Sequence, residues 1–186
     1  MLREELEGIY QKAMRVIIGQ IDSAIDLIDS KQVEDLMNAI RDAARIYVMG
    51  AGRSGLTGKG FAMRLMHLGF TSYVVGETTT PAISDKDLLI VISDSGGRRS
   101  SVEMAETAKD GGAKIASITS NQDSLLGKIS DLVVVIPKVE KFRDLAPLGT
   151  FFEDTTMIFA DGIVAELMAI LNEDEEDLKK RHTKLE

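Results

Sequence analysis

The chain has no cysteine, only two histidines, no excess of basic residues and no apolar run long enough to cross a bilayer. Each absence removes a class of function. Without cysteine there is no disulfide framework and no thiolate metal site. With His67 and His182 as the only histidines, a histidine-based metal cluster is not expected, and no metal is assigned. Lys and Arg number 22 against 30 Asp and Glu, a net charge of −8. Phosphate neutralisation needs clustered cations, so nucleic acid is not an expected partner. An anionic ligand must then be held by local donors against the overall field. No segment approaches membrane-spanning length, so a membrane is not an expected partner either. The N-terminus, MLREELEGIYQK, is charged and helical in pattern, unlike a signal peptide, which makes the cytoplasm the default location.

What is present suits one domain across residues 1–186, with 44% hydrophobic and 28% charged residues. Residues 1–44 read as two amphipathic helices. The first runs from Leu2 to Ser30, with Gly19 as a point where it can kink or divide. The second runs from Val33 to Ala44. In residues 45–136, short apolar runs alternate with helical segments. Strands are predicted at Arg45–Met49, Thr71–Val75, Leu88–Ile92, Lys114–Thr119 and Leu132–Ile136. Helices are predicted at Leu56–Leu68, Val102–Asp110 and within SNQDSLLGKI, whose Ser/Asn cluster supplies an N-cap. Lys138–Leu145 is a polar connection. Ala146–Leu171 is apolar around too much of its circumference for a surface helix, which a subunit interface or core burial would explain. Residues 146–186 thus hold a C-terminal helical segment and a charged tail, helical at first.

This pattern predicts an α/β fold, a three-layer α/β/α arrangement around a five-stranded parallel sheet in the flavodoxin-like order 2-1-3-4-5. In that order the strand sequence reverses between the first and third strands, and ligands bind at the carboxyl ends there. Those two strands lead into GAGRSG (Gly50–Gly55) and SDSGGRRS (Ser93–Ser100), the chain's two loops richest in glycine and serine. GAGRSG resembles a dinucleotide fingerprint only superficially. Its glycines are wrongly spaced and no acidic residue closes the second strand, since Glu77 comes after Gly76. The turn is either a tight strand-to-helix connection or a grip for an anion or sugar hydroxyl through Gly52, Arg53, Ser54 and backbone N–H groups. The second loop offers the Ser93 and Ser95 hydroxyls, Gly96, and the cations Arg98 and Arg99. Successive N–H groups at a helix N-terminus form a nest for phosphate. Glu77 and Thr80 either line the crevice or form its turn, and His67 reads as structural.

GAGRSG, FAMRLMHLGF (Phe61–Phe70), YVVGET with its following TP (Tyr73–Pro81), LAPLGTFFE (Leu145–Glu153), IVAELM (Ile163–Met168) and the RH…LE ending together resemble the sugar isomerase (SIS) domain family. Within it they are most similar to the 6-phospho-3-hexuloisomerases. The resemblance implies the SIS fold as a single domain over 1–186 and a homo-oligomer, usually a tetramer. It also implies a sugar-phosphate substrate converted between 3-hexulose and fructose 6-phosphates, with no cofactor. Phosphate would sit on the serine-rich loop after the third strand. Glu153 matches the family's proposed base, and His182 matches a histidine that reaches a neighbouring subunit's site.

The residue chemistry accords with these roles. Moving a carbonyl along a sugar needs a base for a carbon-bound proton and donors for an enediolate oxygen. Burial beside Phe151 and Phe152 would raise the proton affinity of Glu153, with Asp154 as its competitor. The phosphate loop departs from the family's usual SGSGET pattern. Asp94 replaces a glycine, Gly97 a glutamate, and Arg98 and Arg99 two threonines. An arginine there can pair with Asp94 or bind phosphate directly. Thr183 and Lys184 also depart from the usual alanine–asparagine tail. The altered loop leaves another sugar phosphate as substrate, or a non-catalytic sugar-phosphate-binding module, as alternatives.

Overall fold

A computed structural model describes residues 8–138, 142 and 144–185. In chain order the elements are α1 (Ile9–Ile25), α2 (Ser30–Asp42), β1 (Arg45–Gly50), α3 (Arg53–His67), β2 (Ser72–Val74), β3 (Asp87–Ile92), α4 (Arg99–Asp110), β4 (Lys114–Thr119), α5 (Leu125–Ile129), β5 (Leu132–Val135), α6 (Thr150–Leu171) and α7 (Glu175–Arg181). The five strands form one sheet in the order β2-β1-β3-β4-β5, every neighbouring pair parallel. This is the predicted α/β architecture and order.

The layers follow from the two-residue period of a strand. Ile46, Val48, Leu88, Ile90, Ile92 and Ile118 face one side, where they meet Leu36 and Ile40 of α2, Phe61 and Leu65 of α3, and Phe152 and Leu167 of α6. Tyr47, Met49, Leu89, Val91 and Ile115 face the other, against Val102 and Ala105 of α4 and Leu126 of α5. All six residues of β3 are buried, as a strand covered on both faces must be. Each large aliphatic buried this way contributes roughly 1.5–3 kcal/mol relative to exposure.

Helix boundaries differ from the sequence reading in an instructive direction. α3 begins at Arg53 rather than Leu56, and α4 at Arg99 rather than Val102. A periodicity reading starts a helix at its first apolar residue, whereas here helical geometry begins inside the polar loops. α1 runs through Gly19 but stops at Ile25, because Asp29 opens α2, accepting N–H groups of Lys31 and Gln32 at 2.7 and 3.2 Å. The predicted start of α1 at Leu2, up to residue 7, lies outside the described residues, as do residues 139–141 and 143 of the predicted polar connection and Glu186 of the tail. α6 begins at Thr150 rather than Ala146, since Leu148 adopts a left-handed conformation with φ 56° ahead of it.

α6 is apolar on two sides for two reasons. Phe152, Ile163 and Leu167 are buried in the core, while Met157, Ile158 and Ile170 remain exposed at 47, 51 and 45%. Exposed apolar residues of α1, among them Ile9, Met14 and Ile18, extend the uncovered surface of the molecule. Among the described residues, no helix is long and apolar enough to cross a membrane.

Candidate functional site at the carboxyl ends of β1 and β3

The loop after β1 is built by backbone packed on backbone. A Cβ on Gly50 would stand 2.7 Å from the Ser54 carbonyl, and one on Gly55 would stand 2.7 Å from the Gly50 carbonyl oxygen. Gly52, the N-cap of α3, takes φ 61°, a conformation that costs a residue with a side chain. The glycines of GAGRSG therefore serve the tight turn, which leaves Ser54 buried at the first turn of α3.

The loop after β3 is pinned from the side of β4. The Ser93 N–H donates to the Ile118 carbonyl at 3.0 Å. The Asp94 carbonyl accepts from the Ser120 N–H at 3.0 Å, the Ser120 hydroxyl at 2.8 Å and the Thr119 hydroxyl at 3.0 Å. The Gly96 carbonyl accepts from Leu126 N–H at 3.0 Å, and Gly96 itself sits at φ 60°. The serines are thus displayed on a fixed frame.

These two loops and the start of α6 enclose a cavity of about 210 Å³, lined by Ala51, Ser54, Ile92, Ser93, Asp94, Ser95, Arg98, Gly149 and Glu153. Three helix N-termini converge on it, and their N-caps, Gly52, Arg98 and Gly149, offer no side-chain hydrogen bond. The N-termini of α2, α5 and α7 are capped instead by Asp29, Ser124 and Asp174. Uncapped first turns present N–H donors and the positive end of the helix dipole to whatever enters. Together with the serines they gather, in an acidic protein, the kind of donors that suit an anion.

Glu153 enters from the α6 side. Its side chain is 15% exposed, and Oε2 lies 2.9 Å from Nε of Arg53. The approach is close but poorly aligned: Oε2 is buried and accepts no hydrogen bond from the described residues. Arg53 turns its other nitrogens to Asp154 at 3.1 Å and to the Thr150 hydroxyl at 3.3 Å. Burial raises the proton affinity of Glu153, Arg53 opposes this, and the nearby carboxylates of Asp154 and Asp94 reinforce it; the net displacement is upward. A Cβ on Gly149 would come within 3.1 Å of Glu153 Oε1, so glycine at that position gives the carboxylate its place.

Of the residues singled out from sequence, Ser54, Ser93, Ser95, Arg98 and Glu153 line the cavity. Gly52, Arg53 and Gly96 shape its rim through backbone conformation and the contact with Glu153. Arg99 is not brought there: its Nε pairs with Glu103 one turn along α4 at 2.7 Å, and its side chain is 91% exposed. The Asp94 carboxylate is engaged by the Ser120 hydroxyl and by Lys138 at 3.6 Å, not by either arginine. Glu77 and Thr80 form the turn after β2, with Lys59 on Glu77 and the Thr80 hydroxyl on the Val74 carbonyl at 2.6 Å. His182 is exposed at the end of α7, its ring 5.1 Å from that of buried His67. It is not among the residues lining its own chain's cavity. Sequence reasoning missed Ser120, Lys138, Thr150 and Gly149. Gly149 and Thr150 left a trace only as members of LAPLGTFFE. Among the described residues, no group of three or more His, Asp or Glu stands close enough together to hold a metal ion.

The pattern of the SIS domain matches residues 39–160, from the end of α2 to the middle of α6, and so spans every strand and the whole cavity. The chain belongs to the SIS domain family. Several relatives carry a reaction in their names. A 3-hexulose-6-phosphate isomerase of Methanocaldococcus jannaschii is 44% identical over 154 residues, covering 83% of this chain and 84% of the relative. A 3-hexulose-6-phosphate isomerase of Bacillus subtilis is 35% identical over 176 residues, covering 91% and 95%. A crystal structure from Methanococcus jannaschii, from which a molecular function of 3-hexulose-6-phosphate isomerase was inferred, superposes with a TM-score of 0.80 at 39% identity, covering 98% of this chain and 99% of that one. Similarity to these SIS proteins extends well beyond the matched domain pattern, into the terminal helices.

Proposed function

We propose that this chain is a sugar-phosphate isomerase that interconverts 3-hexulose 6-phosphate and fructose 6-phosphate. The observation that carries the reading is Glu153, a largely buried carboxylate with raised proton affinity, set in the same small cavity as three uncapped helix N-termini. The names of the relatives supply the substrate.

The phosphate rests on the N–H groups and hydroxyls of the Ser93–Arg98 loop, with Arg98 as its cation. Ser54 and the first turn of α3 hold the sugar chain. Glu153 removes the proton from C2 of the 3-hexulose, giving a C2–C3 enediolate, and returns it at C3. The hydroxyl proton moves from O2 to O3, so the reaction consumes and releases nothing. Donors at the rim of the cavity, Arg53 among them, stabilise the developing oxyanion. Burial suits Glu153 to the task, because a carboxylate at its ordinary proton affinity is a weak base for a carbon acid.

His182 assists from a second copy of the chain. α3 spans Arg53 to His67, so its two ends are about 20 Å apart at 1.5 Å per residue. The cavity lies at one end and His182 at the other, a separation that supports a role at another copy's site. A homo-oligomer, a tetramer by family resemblance, brings the tail of one copy to the cavity of another.

The test is a coupled assay from 3-hexulose 6-phosphate to fructose 6-phosphate, run beside a panel of pentose, hexose and heptose phosphates. Turnover of the 3-hexulose substrate above all others is expected. The Asp94 carboxylate in the phosphate loop favours a second reading, a different sugar phosphate in the same cavity, and faster turnover of another panel member would establish it. Tight binding with no turnover of any member would make the chain a sugar-phosphate-binding module instead.

A further inference from the structure

His67 has no part in the chemistry above, yet it is a buried titratable group, 4% exposed, at the C-terminal end of α3. Its ring stacks on that of His182, with centroids 5.1 Å apart and planes inclined by 24°. The approach is held by other contacts. Arg181, the residue before His182, donates from Nη1 to the His67 carbonyl at 3.0 Å. The same guanidinium is gripped by Glu173 at 2.7 and 2.8 Å, and Leu178 packs on the core beneath. The tail is therefore seated on the end of α3 with His182 uppermost and its ring face fixed.

We infer that His67 is a positioning residue for His182: its buried ring is the platform that fixes the orientation in which His182 is presented to a second copy of the chain. The inference rests on the reading that His182 acts in the reaction. A flexible terminal histidine would lose much of its effectiveness to orientational freedom, and stacking removes that freedom. A neutral platform can carry a stacked ring in either charge state, whereas two imidazoliums repel. Burial lowers the proton affinity of His67, and His182 and Arg64 lower it further, which favours its neutral form. The charged group acting on His67 is Arg64 of α3, itself 3.6 Å from Asp161 of α6, while Arg181 of α7 meets the His67 carbonyl and is itself faced by Asp177 of α7 and by Glu173 before it.

Three variants test this. His67→Phe keeps an aromatic platform, His67→Leu removes it at similar bulk, and His182→Ala removes the ring it carries. Each is measured for kcat and KM on 3-hexulose 6-phosphate across pH, with unfolding midpoints compared to the parent. His67→Met replaces His67→Leu if that variant does not fold. We expect His67→Leu to lose about tenfold in kcat at unchanged KM, the scale of a misoriented group, with an altered pH profile. We expect His67→Phe to stay within about twofold of the parent. Parental kcat and pH profile in His67→Leu, with His182→Ala impaired, would overturn the positioning role alone. Parental kcat in His182→Ala would overturn the role of His182 itself and the inference with it. In the parent protein, NMR titration of the His67 imidazole should show it taking up its proton below the ordinary 6.5. Protonation of His67 at or above that value would also overturn the platform.

Discussion

Two arginine–carboxylate pairs stand at opposite ends of β1 and β3, and they behave in opposite ways. At the amino end, Arg45 and Asp87 face each other across the strand register. Their contact is two-pronged, Nε to Oδ1 at 2.9 Å and Nη2 to Oδ2 at 2.7 Å, and Ser84 adds its N–H at 2.7 Å and its hydroxyl at 3.0 Å. At the carboxyl end, Arg53 reaches Glu153 at 2.9 Å without hydrogen-bond alignment and shares itself with Asp154 and Thr150. Burial raises the proton affinity of both carboxyls. For Asp87 the bonds from Arg45 and Ser84 outweigh it and the result is a lowering; for Glu153 no such bond comes from the described residues and the raising stands. Proximity of opposite charges does not by itself make a structural ion pair. The number of aligned donors decides whether a buried carboxylate is locked or left able to take a proton.

The largest expected effect lies at the loose pair. Glu153→Gln should lower kcat by about 10³-fold or more, within the range attributed to general bases, while substrate binding and folding survive. Removing a desolvated charge leaves the variant at least as stable as the parent near neutral pH, and a urea unfolding curve checks this. Retained turnover would remove Glu153 as the base.

At the locked pair the effects should reverse. Asp87→Asn should cost about 3 kcal/mol in unfolding free energy, because a buried, multiply bonded partner is lost, and should leave kcat near the parental value. An active-site effect as large as that of Glu153→Gln would erase the distinction between the two ends.

The two pairs also predict separate pH limbs. Asp87 has a folded proton affinity below the usual 3.8, so its contribution to stability is present above 3.8 and is lost as pH falls through the lower folded value. Glu153 has a folded value above the usual 4.5, so the rate should fall on acidification at a pH above 4.5, while the fold is still intact. Coincident loss of rate and structure would contradict this. The burial of Glu153 makes a contribution of opposite sign, favouring the fold below 4.5 and disfavouring it as pH rises through the raised value.

The smallest contrast is between neighbours. Arg98→Ala should raise KM several-fold, since Arg98 stands at the cavity, whereas Arg99→Ala should change neither KM nor the unfolding midpoint. Equal effects would return Arg99 to the phosphate site.

Much of the frame was legible in the sequence because strand and helix periodicities are local. The run LLIVI reads as a strand of a sheet with helices on both faces, and in the structure all five residues are buried, with Asp87 added at the head of the strand. The helix starts were less legible. Arg53 and Arg99 are polar residues that a periodicity reading assigns to loops, yet they open α3 and α4. The serines and Glu153 were found by residue chemistry and by family resemblance. Ser120 and Lys138, which hold Asp94, come from the ends of β4 and β5, and no local pattern connects them to residue 94. The same holds for Asp87, an ordinary acidic residue at the head of a strand until the sheet register sets it opposite Arg45.

The sequence alone determined the alternation of strands and helices, the sheet they form, and the presence of glycine–serine loops after the first and third strands. Those features depend on side-chain period and backbone permissiveness, which act over a few residues. The tertiary structure decided which donors each charged group meets. It gave Asp87 four aligned bonds and left Glu153 Oε2 without one from the described residues, set Arg98 at the cavity and Arg99 on Glu103, and laid His182 on His67. Proton affinity and orientation are set by neighbours brought together across 40 to 120 positions of chain, by burial and by angle, and none of these is a property of the local sequence.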